Sequence, residues 1–300
     1  MGRRNIFKKM KVILTHIGKL PPYFEYSLKQ LRIFNPHVNV IFIGDDNKKD
    51  LFNKYNIKFV YENIFEDDKY HNIIKLDKNK NIFHGHPNKS FWIFAYVRFY
   101  LIETYLKKYN DVSDFFFFEN DILIYEKLDL IKEFLDNKNG DLFFTIGDDK
   151  RITTGFSYIK SKDLFLKLIN DMDKILFSEE GIKDIRKNYS KCCPSEMTIM
   201  RKVKNKFNYI TELPLLPSEN KNFIFDPASY GQFLGGDLQG KKNHIDKITY
   251  IGKEILNKNI NVTFEVDTDG YKKPFCIYKG NKYKICNLHV WAKNLKQFVS

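Results

Sequence analysis

Apolar residues along this chain fall into short runs broken by polar clusters, and the runs alternate with longer stretches of helical spacing. Residues 11–15 (Lys-Val-Ile-Leu-Thr) read as a first strand, closing on His16, Ile17 and Gly18 before Pro21 and Pro22. A helix over 22–34 follows from Phe24, Leu28, Leu31 and Phe34, and Asn35-Pro36 stops it. Residues 38–43 form a second strand ending in Gly44-Asp45-Asp46, and 57–61 a third. Residues 62–89 are polar and weakly periodic and read as a long loop over the ligand edge. The spacing of Phe91, Phe94, Ala95, Arg98, Leu101, Ile102 and Tyr105 predicts a helix over 87–108. Four phenylalanines, Phe115 to Phe118, cannot share a solvated face, so they predict a strand buried on both sides. Further elements are a helix over 128–135, strands over 141–146 and 152–159, and a helix over 164–175. Charged residues 179–191 read as a linker or lid. A helix then opens at Ser195, residues 225–236 form a turn and short helix, and strands cover 261–266 and 271–278.

Strands alternating with helices predict an α/β fold, Rossmann-like, with a mixed, mostly parallel central sheet flanked by helices. No internal repeat and no Pro/Gly/Ser-rich linker divides the chain, so a single domain over 1–300 is expected, with 1–10 as a basic tail. The first strand and loop open like a nucleotide-binding unit, yet neither G-x-G-x-x-G nor a Walker lysine motif is present.

The phenylalanine run stops at Glu119, Asn120 and Asp121, and apolar residues resume at Ile122. Two carboxylates at the end of a buried strand lie where open α/β sheets place ligands, and hard oxygens spaced i, i+2 suit Mg²⁺ or Mn²⁺. A polar turn between two strands explains the same residues. Arg98 interrupts an apolar stripe and needs a carboxylate or phosphate partner, within the protein or on a ligand. Asp45 either reads a ribose or base or caps the next helix. His84-Gly85-His86 has no further ligand types nearby and reads as loop.

Composition adds less. The net charge of +13 favours anionic partners, among them an anionic membrane surface touched by the basic N-terminus. A Lys- and Asn-rich, Ala-poor bias of coding explains that surplus equally well. No basic-aromatic nucleic-acid module is evident, so no nucleic-acid partner is expected. Cys192, Cys193, Cys276 and Cys286 show no zinc spacing and no disulfide framework, which points to a reducing, cytoplasmic setting. The Thr15–Leu20 loop is too poor in glycine for a nucleotidyltransferase signature.

Taken in order, the Thr15-His16 loop, Asp45-Asp46, the Arg98 helix, Glu119-Asn-Asp121 and the late Asn-Leu-His289 resemble the GT-A-fold nucleotide-sugar glycosyltransferases of bacterial surface-polysaccharide clusters and large DNA viruses. The stretch from Phe225 to Gly236 resembles a segment of such enzymes. The likeness spans most of the chain in element order, and its specific motifs cover a minority of residues. It implies a metal-dependent transfer of a sugar from a nucleotide-sugar donor, UDP-linked by the family's habit, to a glycan, lipid-linked or protein acceptor. Asp121 and His289 would hold Mn²⁺ or Mg²⁺. The Glu at 119 departs from the Asp-x-Asp pattern, which moves Glu119 towards the donor beside Asn120. Thr15, His16, Asp45 and Arg98 would also contact the donor. If the reaction inverts the anomeric centre, Glu196 is the first candidate for the base and Asp237 the second. A first-turn helix position would lower the pKa of Glu196 and weaken it as a base. A catalytically inactive glycan-binding relative is the remaining alternative.

Overall fold

A computed structural model describes residues 10–83, 89–109, 111–188, 195–236 and 245–300. In chain order these form β1 (Lys11–His16), α1 (Phe24–Phe34), β2 (Asn39–Gly44), α2 (Lys49–Lys54), β3 (Ile57–Tyr61), a 3₁₀ turn (Ile64–Glu66), α3 (Asp68–Lys80) and α4 (Lys89–Lys108). Then come β4 (Phe115–Phe118), β5 (Ile122–Ile124), α5 (Leu128–Asp136), β6 (Leu142–Asp148), β7 (Arg151–Ile159), α6 (Lys162–Leu176), α7 (Glu179–Asn188) and α8 (Glu196–Lys206). The last elements are β8 (Ile210–Glu212), α9 (Tyr230–Gly235), α10 (Tyr250–Leu256), β9 (Ile260–Val266), β10 (Lys272–Tyr278), β11 (Asn281–Lys284) and β12 (Asn287–His289).

The main sheet has seven strands in the order β3-β2-β1-β4-β7-β6-β8, and only β7 runs against the others. The expected mixed, mostly parallel sheet between helices is present. Strand order reverses between β1 and β4, and at such a switch point the loops leaving neighbouring strands part and open a crevice. β4 lies in mid-sheet, parallel to β1 and antiparallel to β7. Alternation along the strand sends Phe115 and Phe117 into the core layer of α4 and α6. Phe116 and Phe118 pack on the opposite layer with Phe24, Leu128 and Phe156. Each ring contributes about 1.5–3 kcal/mol by burial. A rigid strand therefore carries the polar residues that follow it.

A second, two-stranded ladder pairs β5 with β12 antiparallel, setting His289 opposite Ile122. This places the late histidine beside Asp121. A three-stranded sheet, β11-β10-β9, packs next to α9 and α10.

Two expectations fail. The described residues of 62–89 are not a long loop: they hold the 3₁₀ turn and the 13-residue α3, and 84–88 lie outside the described residues. Asp67 caps that helix by accepting from Lys69 N at 2.7 Å, and Tyr70, Ile73 and Ile74 supply the apolar stripe that lysines and asparagines dilute. Of residues 179–191, 179–188 form α7 and are not a linker, and 189–191 lie outside the described residues. Ile182 and Ile185, one turn apart, are buried in the main core, and Ser178 Oγ accepts from Gly181 N at 2.9 Å. Charge density concealed both helices. Among the described residues no helix is long and apolar enough to cross a membrane. Cys276 and Cys286 are buried free thiols, whereas Cys192 and Cys193, like His84 and His86, lie outside the described residues.

Candidate metal centre

Three loops meet at the switch point. After β1, His16 Nε2 donates to Lys19 O at 3.1 Å, which leaves Nδ1 as the acceptor for Asn120 Nδ2 at 2.9 Å. Burial lowers the His16 pKa, in keeping with a neutral ring. Asn120 Nδ2 also donates to Thr15 O at 3.3 Å, while its Oδ1 is buried without a hydrogen-bond partner. After β2, Asp45 accepts from Gly18 N and Asp46 from Leu20 N, each at 2.8 Å. Asp45 thus braces the β1 loop and does not cap α2, whose N-cap is Lys48. These hydrogen bonds gather Thr15, His16, Asp45 and Asn120 at one edge of the sheet.

Glu119, Asp121 and His289 form the centre. Their ligand atoms all lie within 4.8 Å of one another. His289 Nε2 stands 3.2 Å from Asp121 Oδ2 and 3.5 Å from Glu119 Oε2. Donors held on one divalent ion at about 2.1 Å sit about 3 Å apart. Two carboxylates and an imidazole suit Mg²⁺ or Mn²⁺ in chemistry as well as spacing. His289 Nδ1 is buried without a partner, because Gly155 closes over it: a Cβ there would lie 2.4 Å from Nδ1. Gly155 is needed for this close approach.

The backbone of His289 is fixed by Asp226. That buried carboxylate accepts from Ser229 N (2.6 Å) and Tyr230 N (2.8 Å) through Oδ1, and from Gly231 N (2.8 Å) and His289 N (2.9 Å) through Oδ2. It joins the start of α9 to β12. Asn287 adds a reciprocal pair, accepting from Asp226 N at 3.1 Å and donating to Asp226 O at 3.2 Å.

Arg98 enters from α4. Its Nη2 donates to Glu119 Oε1 (2.8 Å), to Glu196 Oε1 (3.0 Å) and to Thr154 Oγ1, whose hydroxyl donates to Glu119 Oε1 at 2.8 Å. The partner that Arg98 required is therefore a pair of carboxylates, and Glu196 is brought into the same cluster. Burial works against the charged form of Glu119, but Arg98 and His289 hold its pKa below the usual carboxylate range. Burial also opposes the charge on Asp121, and His289 and Lys293 overcome it, keeping Asp121 far below that range. Those carboxylates in turn raise the pKa of His289 against its burial.

Glu196 behaves differently. Burial pushes its carboxyl up to about 7, against the pull of Arg98. The first-turn helix position does not prevail, because the residue is only 3% exposed. Its Oε2 is buried with no hydrogen-bond partner. Asp237 lies outside the described residues.

Lys293, Asp226, Thr154 and Gly155 escaped sequence reasoning. Only the Asp226-Pro turn and the Gly at 155 carried any local signal. The Lys293 ammonium pairs with Asp121 Oδ2, and Tyr23 presents its ring 5.6 Å away.

No protein-family model and no curated protein matches the sequence. Among solved structures the chain is similar to mouse xyloside xylosyltransferase 1, at a TM-score of 0.47 and 8% identity over 72% of this chain and 87% of that one. It is similar to the galactosyltransferase LgtC bound to donor and acceptor sugar analogues, at 0.46 and 12% over 80% and 85%. The glycosyltransferase GlyE of Streptococcus pneumoniae follows at 0.42 and 12%, over 75% and 47%. All three TM-scores lie below 0.5.

Proposed function

We propose that the chain is a single glycosyltransferase domain of the GT-A type, moving a sugar from a nucleotide-sugar donor to an acceptor hydroxyl. The observation that carries this reading is the convergence of Glu119, Asp121 and His289 at the carboxyl end of β4, beside the switch-point crevice. A nucleoside diphosphate has a base and ribose to fill such a crevice and an anionic diphosphate to meet a metal at its rim. Asp121 and His289 would hold Mn²⁺ or Mg²⁺ with Glu119 beside them, and that ion supplies charge neutralisation for the departing diphosphate.

The chain's own residues do the rest. Thr15, His16, Asp45 and Asn120 line the nucleoside side, and the unpartnered Oδ1 of Asn120 is an acceptor ready for a ribose hydroxyl. Arg98 keeps Glu119 ionised and in place, and its charge lies close to the donor sugar. For transfer with inversion at the anomeric centre, Glu196 is the base: with a carboxyl near 7 and an unpartnered Oε2, it takes the acceptor proton. The acceptor oxygen then forms a bond to the anomeric carbon. The bond from that carbon to the phosphate oxygen breaks, and the electron pair leaves with the nucleoside diphosphate. UDP as the nucleotide and a glycan, lipid-linked sugar or protein as the acceptor belong to the same proposal.

Donor hydrolysis across a panel of nucleotide sugars, with and without Mn²⁺, tests the reading. Asp121→Asn is expected to abolish Mn²⁺-dependent turnover with the circular-dichroism spectrum unchanged. Full turnover by that variant, or no calorimetric binding of any nucleotide sugar by the wild type, refutes it.

A further inference from the structure

Asp121 Oδ2 meets an imidazole and an ammonium. His289 Nε2 lies 3.2 Å from it, and the Lys293 ammonium pairs with the same oxygen. That oxygen belongs to the ligand set, so an ion approaching it meets a charge already in place. Lys293 is not a surface lysine that happens to bend inward. It follows β12 with φ +61°, the left-handed region, at a cost of about 1 kcal/mol for a side chain of this kind. The turn that carries it is tied to the same carboxylate residue: Lys293 N donates to Val290 O at 3.0 Å, and Val290 N donates to Asp121 O at 3.1 Å. Among the described residues Asp121 is its only ion-pair partner. A buried carboxylate needs a counter-charge, and Lys293 supplies one by direct contact.

We propose that Lys293 is an exchangeable counter-ion: it neutralises Asp121 while no divalent cation is bound, leaves Oδ2 when one binds, and so couples cation binding to the arrival of a diphosphate. The proposal rests on reading Glu119, Asp121 and His289 as a metal centre. Displacing the ammonium leaves a half-buried cation without a carboxylate, which opposes binding of the divalent ion alone. An anionic diphosphate gives that cation a new partner and removes the penalty. By linkage, the ion then strengthens diphosphate binding by the same factor. Lys293 is a positioning residue in this scheme, setting the order in which the charges assemble.

Calorimetric titration of Mn²⁺ into the full chain, alone and with UDP present, tests this on the wild type and Lys293→Met. The Met variant is expected to bind Mn²⁺ at least tenfold more tightly than the wild type without nucleotide. UDP is expected to tighten Mn²⁺ binding at least fivefold more in the wild type than in the variant. Equal or weaker Mn²⁺ binding by the variant overturns the counter-ion role and leaves the metal centre standing. Absence of Mn²⁺ binding in both folded proteins overturns the metal centre and the proposal with it. Melting in EDTA and in Mn²⁺ covers a variant that is poorly stable. Its midpoint should fall in EDTA and recover in Mn²⁺ by more than the wild type gains, and an equal loss in both media counts against the proposal.

Discussion

Substituting Gly155 by alanine probes the proposed metal centre without removing a proposed ligand. The added Cβ would stand 2.4 Å from His289 Nδ1, 3.0 Å from Cε1 and 3.1 Å from Ile122 Cδ1. The first distance is about 1 Å short of ordinary carbon–nitrogen contact. The backbone of His289 has little room to yield, because Asp226 holds its N–H at 2.9 Å and β12 is paired with β5. The imidazole must turn instead, and turning moves Nε2 from its place 3.2 Å from Asp121. Changes that misorient a metal ligand cost about 10–100-fold in affinity, and overpacking a core costs about 1–3 kcal/mol of stability. Gly155→Ala should therefore weaken Mn²⁺ binding about 10–100-fold by calorimetry while the protein still melts cooperatively. Gly147→Ala is the control, since its Cβ would meet only Thr153 Cγ2 at 3.8 Å. Wild-type Mn²⁺ affinity in the Gly155 variant would falsify the placement of His289.

Two further expectations concern the residues around the centre. The pKa of Glu196 rises on folding from 4.5 to about 7, so ionising it costs the folded protein about 3 kcal/mol. That stability is fully present below pH 4.5 and is lost as pH rises through 7. The melting advantage of Glu196→Gln over wild type, measured without metal, should then grow between pH 5 and pH 8, and a constant difference excludes the buried, high-pKa assignment. Asp226→Ala strands four backbone N–H donors and should lower stability in urea by about 3–5 kcal/mol with loss of Mn²⁺ binding. A loss under 1 kcal/mol would show that α9 and β12 do not depend on this carboxylate.

How much of this was legible in the sequence depends on how locally each feature is encoded. β4 announced itself, because four phenylalanines ending at Glu119 leave few alternatives to a strand buried on both faces. Arg98 was legible as a charge in need of a partner, since nothing else in that stripe is polar. Its partners were not, because Glu119 and Glu196 reach it only when β4 and α8 pack against α4. The helices over 68–80 and 179–188 were hidden for a different reason. Each has a thin apolar stripe among lysines, asparagines and acids, so the polar residues dominated the average while a few apolar ones, Ile73, Ile182 and Ile185 foremost, decided the packing. Gly155 showed only as a glycine within a strand and Lys293 left no readable trace, because a close approach and an ion pair exist only once β7, β12 and β5 have met.

The β5–β12 pairing carries a consequence for the making of the protein. Glu119 and Asp121 leave the ribosome well before His289, the third member of the cluster. Until β12 zips onto β5, the two carboxylates are an unassembled acidic turn with neither the imidazole nor the ammonium of Lys293 beside them. Closing so long a loop is among the later events of folding. A chain in which β12 has not yet been made, or has been cut away, therefore lacks the three-residue cluster.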